Sequence, residues 1–459
     1  MQRQALKFLQ DWLTSKPSRP IVLRGARQVG KTWLIREFAK TNKKLLIELN
    51  FEKNPEYRNY FSSNDPNLIL RYLEAIFQCT IDPLKSILFL DEIQAAPELI
   101  SKLRWFAEDL PELPVVAAGS LLEFTLANYQ YSMPVGRIGY LHLEPLSFDE
   151  FLLALGKDKL FDFLNSVTLN SNESIPAPLH EQLMMLFKDY LIVGGLPAAV
   201  ASWIEHHSLE KVGHIHYDLL ATYRDDFTKY SGKLNTARLE DVLRAVPQLL
   251  GKKFIYSHVN KEVSSAPLKQ ALDLLIKAKL CSKVSASAAN GLPLGAELKQ
   301  NYFKIVSLDT GLVNSMLGLR LHQLMHNQDI MLINNGAIAE QVVGQLLRTI
   351  EPFYMEPLLY YWMREESQSS AEIDYLIQSQ ADIVPIEVKA GSTGHLKSLH
   401  VFMALKKLPL AVRINSDRPT ITNINLTTQV NATANYKLIS IPFYLLSQIN
   451  RLIIENKRQ

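Results

Sequence analysis

The sequence predicts an α/β chain of several domains: a P-loop α/β domain first, a helical and winged-helix middle, and a second α/β domain at the C-terminus. Three observations predict it. An apolar run over residues 19–24 enters Gly25-x4-Gly30-Lys31-Thr32 and leaves as a helical pattern from Trp33. A second apolar run, 86–90, ends in Asp91-Glu92. Far downstream, strand-like segments bring Asp374 and Glu387-x-Lys389 into order. At 459 residues the chain exceeds what one hydrophobic core serves, and it divides as 1–155 (P-loop domain), 156–234 (helical, lid-like), 235–325 (winged helix) and 326–459 (C-terminal α/β domain).

Composition sets the class. The chain is 47% hydrophobic and 21% charged, which is ordinary for a globular protein, and no run nears the roughly 18 apolar residues of a membrane span. No membrane partner is expected. Residues 1–12 read as a short amphipathic helix rather than an export signal, and Cys79 and Cys281 form neither a CxxC nor a Cys/His pattern. A cytoplasmic, reducing compartment is the expectation. A net charge of +3 does not indicate nucleic acid, so any basic surface has to be local.

In the first domain, phosphate carries concentrated negative charge. Glycine-rich backbone exposes the N–H groups of Gly25, Ala26, Arg27, Gln28, Val29 and Gly30 to it, and the following helix N-terminus assists. Lys31 is expected on the β/γ-phosphates and the Thr32 hydroxyl on Mg2+, a hard cation that takes oxygen ligands. Asp91 is expected to hold the same ion, and Glu92, one residue on, to act as general base on a water. A third apolar run, 113–119, ends at Ser120, whose hydroxyl is placed to sense γ-phosphate or that water. Arg137 is the candidate for neutralising transition-state charge, in cis or from a neighbouring subunit, which leaves a homo-oligomer open. ATP and Mg2+ are the implied cofactors.

The middle is less specific. Residues 156–180 read as a polar, irregular stretch before a helix over 179–193, which Gly194-Gly195-Leu196-Pro197 breaks. His206, His207, His214 and His216 match no common metal spacing. Helices over 235–250, near 259 and over 267–279, then two strands around Asn290-Gly291, predict the winged helix. Residues 251–285 hold five more lysines than acids. That excess suits a phosphate backbone, DNA more than RNA, or else only keeps a module packed between domains soluble. Residues 415–434 read as an exposed excursion before the last strand and helix.

In the C-terminal domain, period two on a strand places Glu387 and Lys389 on one face, within reach of Asp374 on a paired strand. Two carboxylates and a carbonyl can hold Mg2+ or Mn2+ beside a scissile phosphate, with Lys389 orienting water and Glu340, from a helix, as a further ligand.

The motifs Gly25 to Thr32, Leu90-Asp-Glu-Ile-Gln94, Ala118-Gly-Ser120, Gly136-Arg137 and Gly194 to Pro197 resemble bacterial and archaeal AAA-type ATPases that carry a C-terminal nuclease-like domain. Ser307-Leu-Asp309-Thr-Gly311 joins them without an assigned chemistry. Asp374 with Glu387-Val-Lys389 is similar to the PD-(D/E)XK nuclease superfamily, although Ile373 stands where proline is usual. The resemblance spans nearly the whole chain and implies Mg-dependent ATP hydrolysis coupled to nucleic-acid processing. Its rival is an ATP-operated switch or adaptor whose C-terminal domain binds DNA or protein without cutting. Retention of Asp374, Glu387 and Lys389 favours the enzyme, and the missing flanking residues favour the switch.

Overall fold

The structure, a computed structural model, describes residues 1–15, 19–127, 134–169, 175–230, 232, 234–319, 336–366, 369–391, 396–428 and 431–457. The chain forms two compact units. One comprises Met1–Glu144 with Lys277–Lys279 and Glu351–Glu356; the other comprises Pro145–Ile276, Leu280–Ile350 and Pro357–Gln459.

The first unit is built on five parallel strands: β1 (Ile21–Arg24), β2 (Leu45–Asn50), β3 (Ser86–Asp91), β4 (Val115–Ala118) and β5 (Gly139–His142), in the order β2-β3-β4-β1-β5. Helices cover a parallel sheet on both faces, so its strands carry apolar runs without alternation, and all six residues of β3 are buried. Register then places the site. Leu23 pairs Ala118, and Ala118 pairs Asp91, so the residues after β1, β4 and β3 emerge together at one end of the sheet. At the edge, the His142 amide of β5 donates to the Phe353 carbonyl at 2.7 Å.

The second unit opens with helices Phe148–Ala154, Asp158–Ser166, Ala177–Val193, Pro197–His206 and Leu209–Asp225. The stretch 156–180, expected to be irregular, therefore contains a helix; Leu160, Phe161 and Leu164 supply its apolar face within a polar setting, and residues 170–174 lie outside the described residues. An eight-stranded mixed sheet follows: β6 (Cys281–Ser287), β7 (Leu298–Ser307), β8 (Leu359–Glu366), β9 (Ser369–Ser379), β10 (Asp382–Val388), β11 (Leu410–Asn415), β12 (Thr420–Thr427) and β13 (Thr433–Pro442), in the order β12-β13-β11-β10-β9-β8-β6-β7. The excursion expected over 415–434 is exposed but includes a strand, β12. That strand is the exposed edge of the sheet, held antiparallel to β13 from Thr420↔Ser440 to Thr427↔Thr433, with Ile424 and Leu426 packed on the core from among its threonines and asparagines.

The three helices and hairpin expected over 235–306 are present as Thr236–Ala245, Tyr256–Val259, Ser265–Lys277 and β6–β7. The hairpin does not stand apart. β6 pairs β8 in parallel, Val284 with Leu359 and Ala286 with Tyr361, which makes it one end of the eight-stranded sheet. The expected boundary at 325/326 lies outside the described residues.

Gly194 to Pro197 and Ser307 to Gly311 meet in one buried knot. Asp309, with no solvent exposure, accepts hydrogen bonds from the amides of Gly195 (2.6 Å) and Leu312 (3.2 Å) and from Gln345 Nε2 (3.2 Å). A Cβ on Gly195 would stand 2.2 Å from the Leu146 carbonyl oxygen, so only glycine fits. His216 is a core residue here, bonded to Ser315 Oγ and the Val193 carbonyl.

Candidate nucleotide site and C-terminal acidic group

Gly25 ends β1 at φ 155°, where a Cβ would stand 2.3 Å from the Leu143 carbonyl oxygen, and Gly30 turns the chain at φ 94° into the helix Lys31–Thr41. The loop 25–30 thus wraps a helix N-terminus, where backbone N–H groups lack intrahelical partners and attract an anion. Lys31 is buried, with Nζ held by the carbonyls of Gly25 (3.0 Å) and Ala26 (2.8 Å). Burial pushes its pKa down to about 8 against the pull of the Glu92 and Asp91 carboxylates. A phosphate beside it would restore the preference for the ammonium.

Asp91 and Thr32 come together as expected: Thr32 Oγ1 donates to the Asp91 carboxylate at 3.2 to 3.3 Å, and Asn50 Nδ2 donates to Asp91 Oδ2 at 3.2 Å. Burial, then the Glu92 charge, raises Asp91 to about 6. A hydroxyl and a carboxylate side by side at a phosphate loop are the hard oxygen donors that Mg2+ takes, so the residues present fit that ion. Glu92 and Ser120 also meet. Glu92 Oε2 accepts from Gln94 Nε2 at 2.6 Å and lies 3.4 Å from both the amide and the hydroxyl of Ser120. A Cβ on Gly119 would clash with Gln94 Oε1 at 2.2 Å, so glycine there admits the clamp.

Arg137 is not brought to this group by its contacts. It is half exposed, and its Nε pairs with Glu108 at 2.7 Å, at the end of the helix Leu99–Asp109. Sequence reasoning missed Arg3. Its guanidinium, 6% exposed, donates to the Val29 carbonyl (3.0 Å) and the Glu144 carbonyl (2.7 Å), bracing the phosphate loop. No local pattern marks it, because its partners come from two distant segments. Gln94 stands within the resembling motif, and only its geometry reveals the hold on Glu92.

In the second unit, Asp374 and Glu387 do converge. They stand on neighbouring antiparallel strands β9 and β10, and Asp374 Oδ2 accepts from the Val388 amide at 2.7 Å. Lys389 Nζ donates to Glu387 Oε1 at 2.7 Å. The Glu340 carboxylate faces Lys304 Nζ at 3.3 Å; the same ammonium pairs with Glu372 and lies 4.0 Å from Asp374. Lys304, on β7, is 3% exposed and is held charged, its pKa raised by Glu340, Asp374 and Glu372 against the cost of burial. Among the described residues, no group of three His, Cys, Asp or Glu is arranged to hold a metal. Where a divalent ion was expected on Glu340, Asp374 and Glu387, Lys304 ion-pairs with Glu340 and stands near Asp374, while Lys389 takes one oxygen of Glu387 and leaves the other, Oε2, buried with no hydrogen-bond partner among the described residues. Burial raises both Glu340 and Glu387, and proximity to Asp374 adds to each.

The parallel sheet, the phosphate loop entering a helix, and Asp91-Glu92 at the end of the strand beside β4 define the first unit as a P-loop ATPase domain of the AAA type. Residues 17–152 match a family described as an AAA domain. Residues 184–323 and 335–443 match two domains of unknown function, DUF8612 and DUF4143. No curated protein matches the chain. Among solved structures, the chain is similar to the Walker-type ATPase PABY2304 of Pyrococcus abyssi (17% identity, 69% of this chain and 95% of that one, TM-score 0.44). It is similar also to the Aeropyrum pernix ORC1 protein in complex with DNA (14%, 69% and 91%, TM-score 0.27). A third is the STAND protein PH0952 of Pyrococcus horikoshii, with a tetratricopeptide repeat sensor (12%, 76% and 45%, TM-score 0.25). No helix among the described residues is long and apolar enough to cross a membrane.

Proposed function

We propose that the chain is an Mg-dependent ATPase that couples its nucleotide state to nucleic-acid binding or processing through residues 235–325 and the C-terminal domain. The observation that carries the ATPase part is the meeting of Lys31, Thr32, Asp91, Glu92 and Ser120 at one end of a parallel sheet. The loop N–H groups and Lys31 would bind phosphate, and Thr32 and Asp91 would hold Mg2+, which offsets charge on the β/γ-phosphates. Glu92 would take the proton of the attacking water, positioned by Gln94 and Ser120. Arg137, on an exposed ion pair of little strength, is free to exchange Glu108 for a phosphate of a neighbouring copy. Phosphate release should fall roughly 100-fold or more in Glu92→Gln with ATP binding kept, while Lys31→Ala loses binding. Unchanged turnover in Glu92→Gln would refute the base assignment.

The buried Lys304 favours one form of this reading, in which the C-terminal domain is nuclease-derived and binds DNA or protein without cutting. Asp374 and Glu387 on adjacent strands support the ancestry; an ammonium among three acids opposes a catalytic metal there. Labelled single- and double-stranded DNA and RNA, with Mg2+ or Mn2+ and with or without ATP, should stay intact. Chelator-sensitive cleavage that Asp374→Ala abolishes would restore the nuclease. A cytoplasmic setting suits both cysteines, which are free thiols, Cys281 being buried with its pKa pushed up to about 12.

A further inference from the structure

A cavity of about 600 Å3 lies between the segment 253–256, the helix Ser265–Lys277 and the hairpin β6–β7. Its chemistry is two-sided. Lys253, Lys269, Lys283 and Lys299 reach it, and among the described residues no aspartate or glutamate lines it. Lys283 is partly compensated by Asp273 at 3.0 Å. Four aromatic residues also line it: Phe254 stacks on Phe303 (centroids 5.7 Å apart, planes at 21°), Tyr256 meets Phe254 edge-on, and Lys253 Nζ lies 3.8 Å from the Tyr302 ring centroid. The Phe254 amide donates to the Phe303 carbonyl at 2.9 Å, which fixes this wall to β7.

Ammonium groups around aromatic rings, in a cavity of ligand size, match a flat base carrying phosphate. We infer that this cavity binds one nucleotide unit, its base against Tyr256 and Phe303 and its phosphate among Lys253, Lys269 and Lys299. The unit belongs to a single strand or to a free nucleotide; a base stacked inside a duplex cannot enter a concave site. The proposal rests on the nucleic-acid reading above and locates its contact. It also ties that contact to the acidic group, since Phe303 lines the cavity and Lys304, next along β7, turns to the other face.

The test is fluorescence anisotropy of the full chain with a labelled thymidine 12-mer, with unlabelled 12-mer, thymidine monophosphate or duplex as competitor. Tyr256→Ala should weaken 12-mer binding by about 5- to 100-fold, Tyr256→Phe should leave it intact, and Lys269→Ala should lower the salt slope by about one. Lys261→Ala, at an exposed lysine outside the cavity, should change affinity less than about twofold, within the context dependence of a single surface charge. Melting curves establish that each variant is folded. Monophosphate that competes as well as the 12-mer supports the site and assigns it to free nucleotide; competition by the 12-mer alone supports a strand. Strand binding that ignores Tyr256→Ala but falls with Lys261→Ala overturns the cavity while nucleic-acid binding stands. Duplex binding without strand or monophosphate binding does the same, and no binding of any of them overturns both.

Discussion

Single side chains set the chemistry. Because Asp91 is raised to about 6 and must be ionised to hold Mg2+, the affinity for Mg2+ with nucleotide should be flat above that pH. Below it, affinity should fall by about tenfold per unit as the proton competes. Titration of MgATP between pH 5 and 8 checks this, and a profile unchanged in Asp91→Asn would refute it. Lys304 makes a second case. Replacing it with alanine strips the half-buried carboxylates of Glu340, Glu372 and Asp374 of their buried ammonium, a change that costs at most about 3–5 kcal/mol, the figure for a fully buried pair. Mn2+ should then raise the melting temperature of Lys304→Ala and leave the parent unchanged; equal shifts in both would mean the parent site already takes metal. The phosphate loop was legible because its groups are contiguous, whereas Lys304 was not: it is one lysine in a strand, and its partners come from residues 340, 372 and 374.

Elements are joined by groups whose sequence pattern is silent. Asp309 caps the helix Thr310–Met316 while it accepts from Gly195 and from Gln345 of the helix Ala337–Leu347, so one carboxylate fastens a loop and two helices. Asparagine there would turn a donor toward a donor, at a cost of about 1–3 kcal/mol. Asp309→Asn should lower the melting temperature by several degrees with ATP affinity kept, as its contacts lie within the second unit. Calorimetry beside a nucleotide titration decides it, and loss of ATP affinity at an unchanged melting temperature would contradict the structural role. Arg3→Ala should do the reverse, weakening ATP binding through the loosened Val29 carbonyl. Strands buried on both faces, such as β3, were readable as apolar runs. β12 was not, because its apolar period is only Ile424 and Leu426, set among exposed threonines and asparagines.

At the scale of the molecule, local patterns foretold the hairpin β6–β7 but not its partner, since pairing with β8 joins segments separated by residues 288–358. The first unit has the same property in a form with consequences for synthesis. Its phosphate-binding groups are complete by residue 144, yet its edge strand β5 is bonded at His142 by Phe353, within the returning strip Glu351–Glu356. A ribosome that has delivered the whole phosphate site still holds a chain whose outermost strand lacks that bond. The nascent first unit therefore waits, edge open to any other unpaired strand, until most of the second has been made, and holding chaperones should engage nascent chains in that interval.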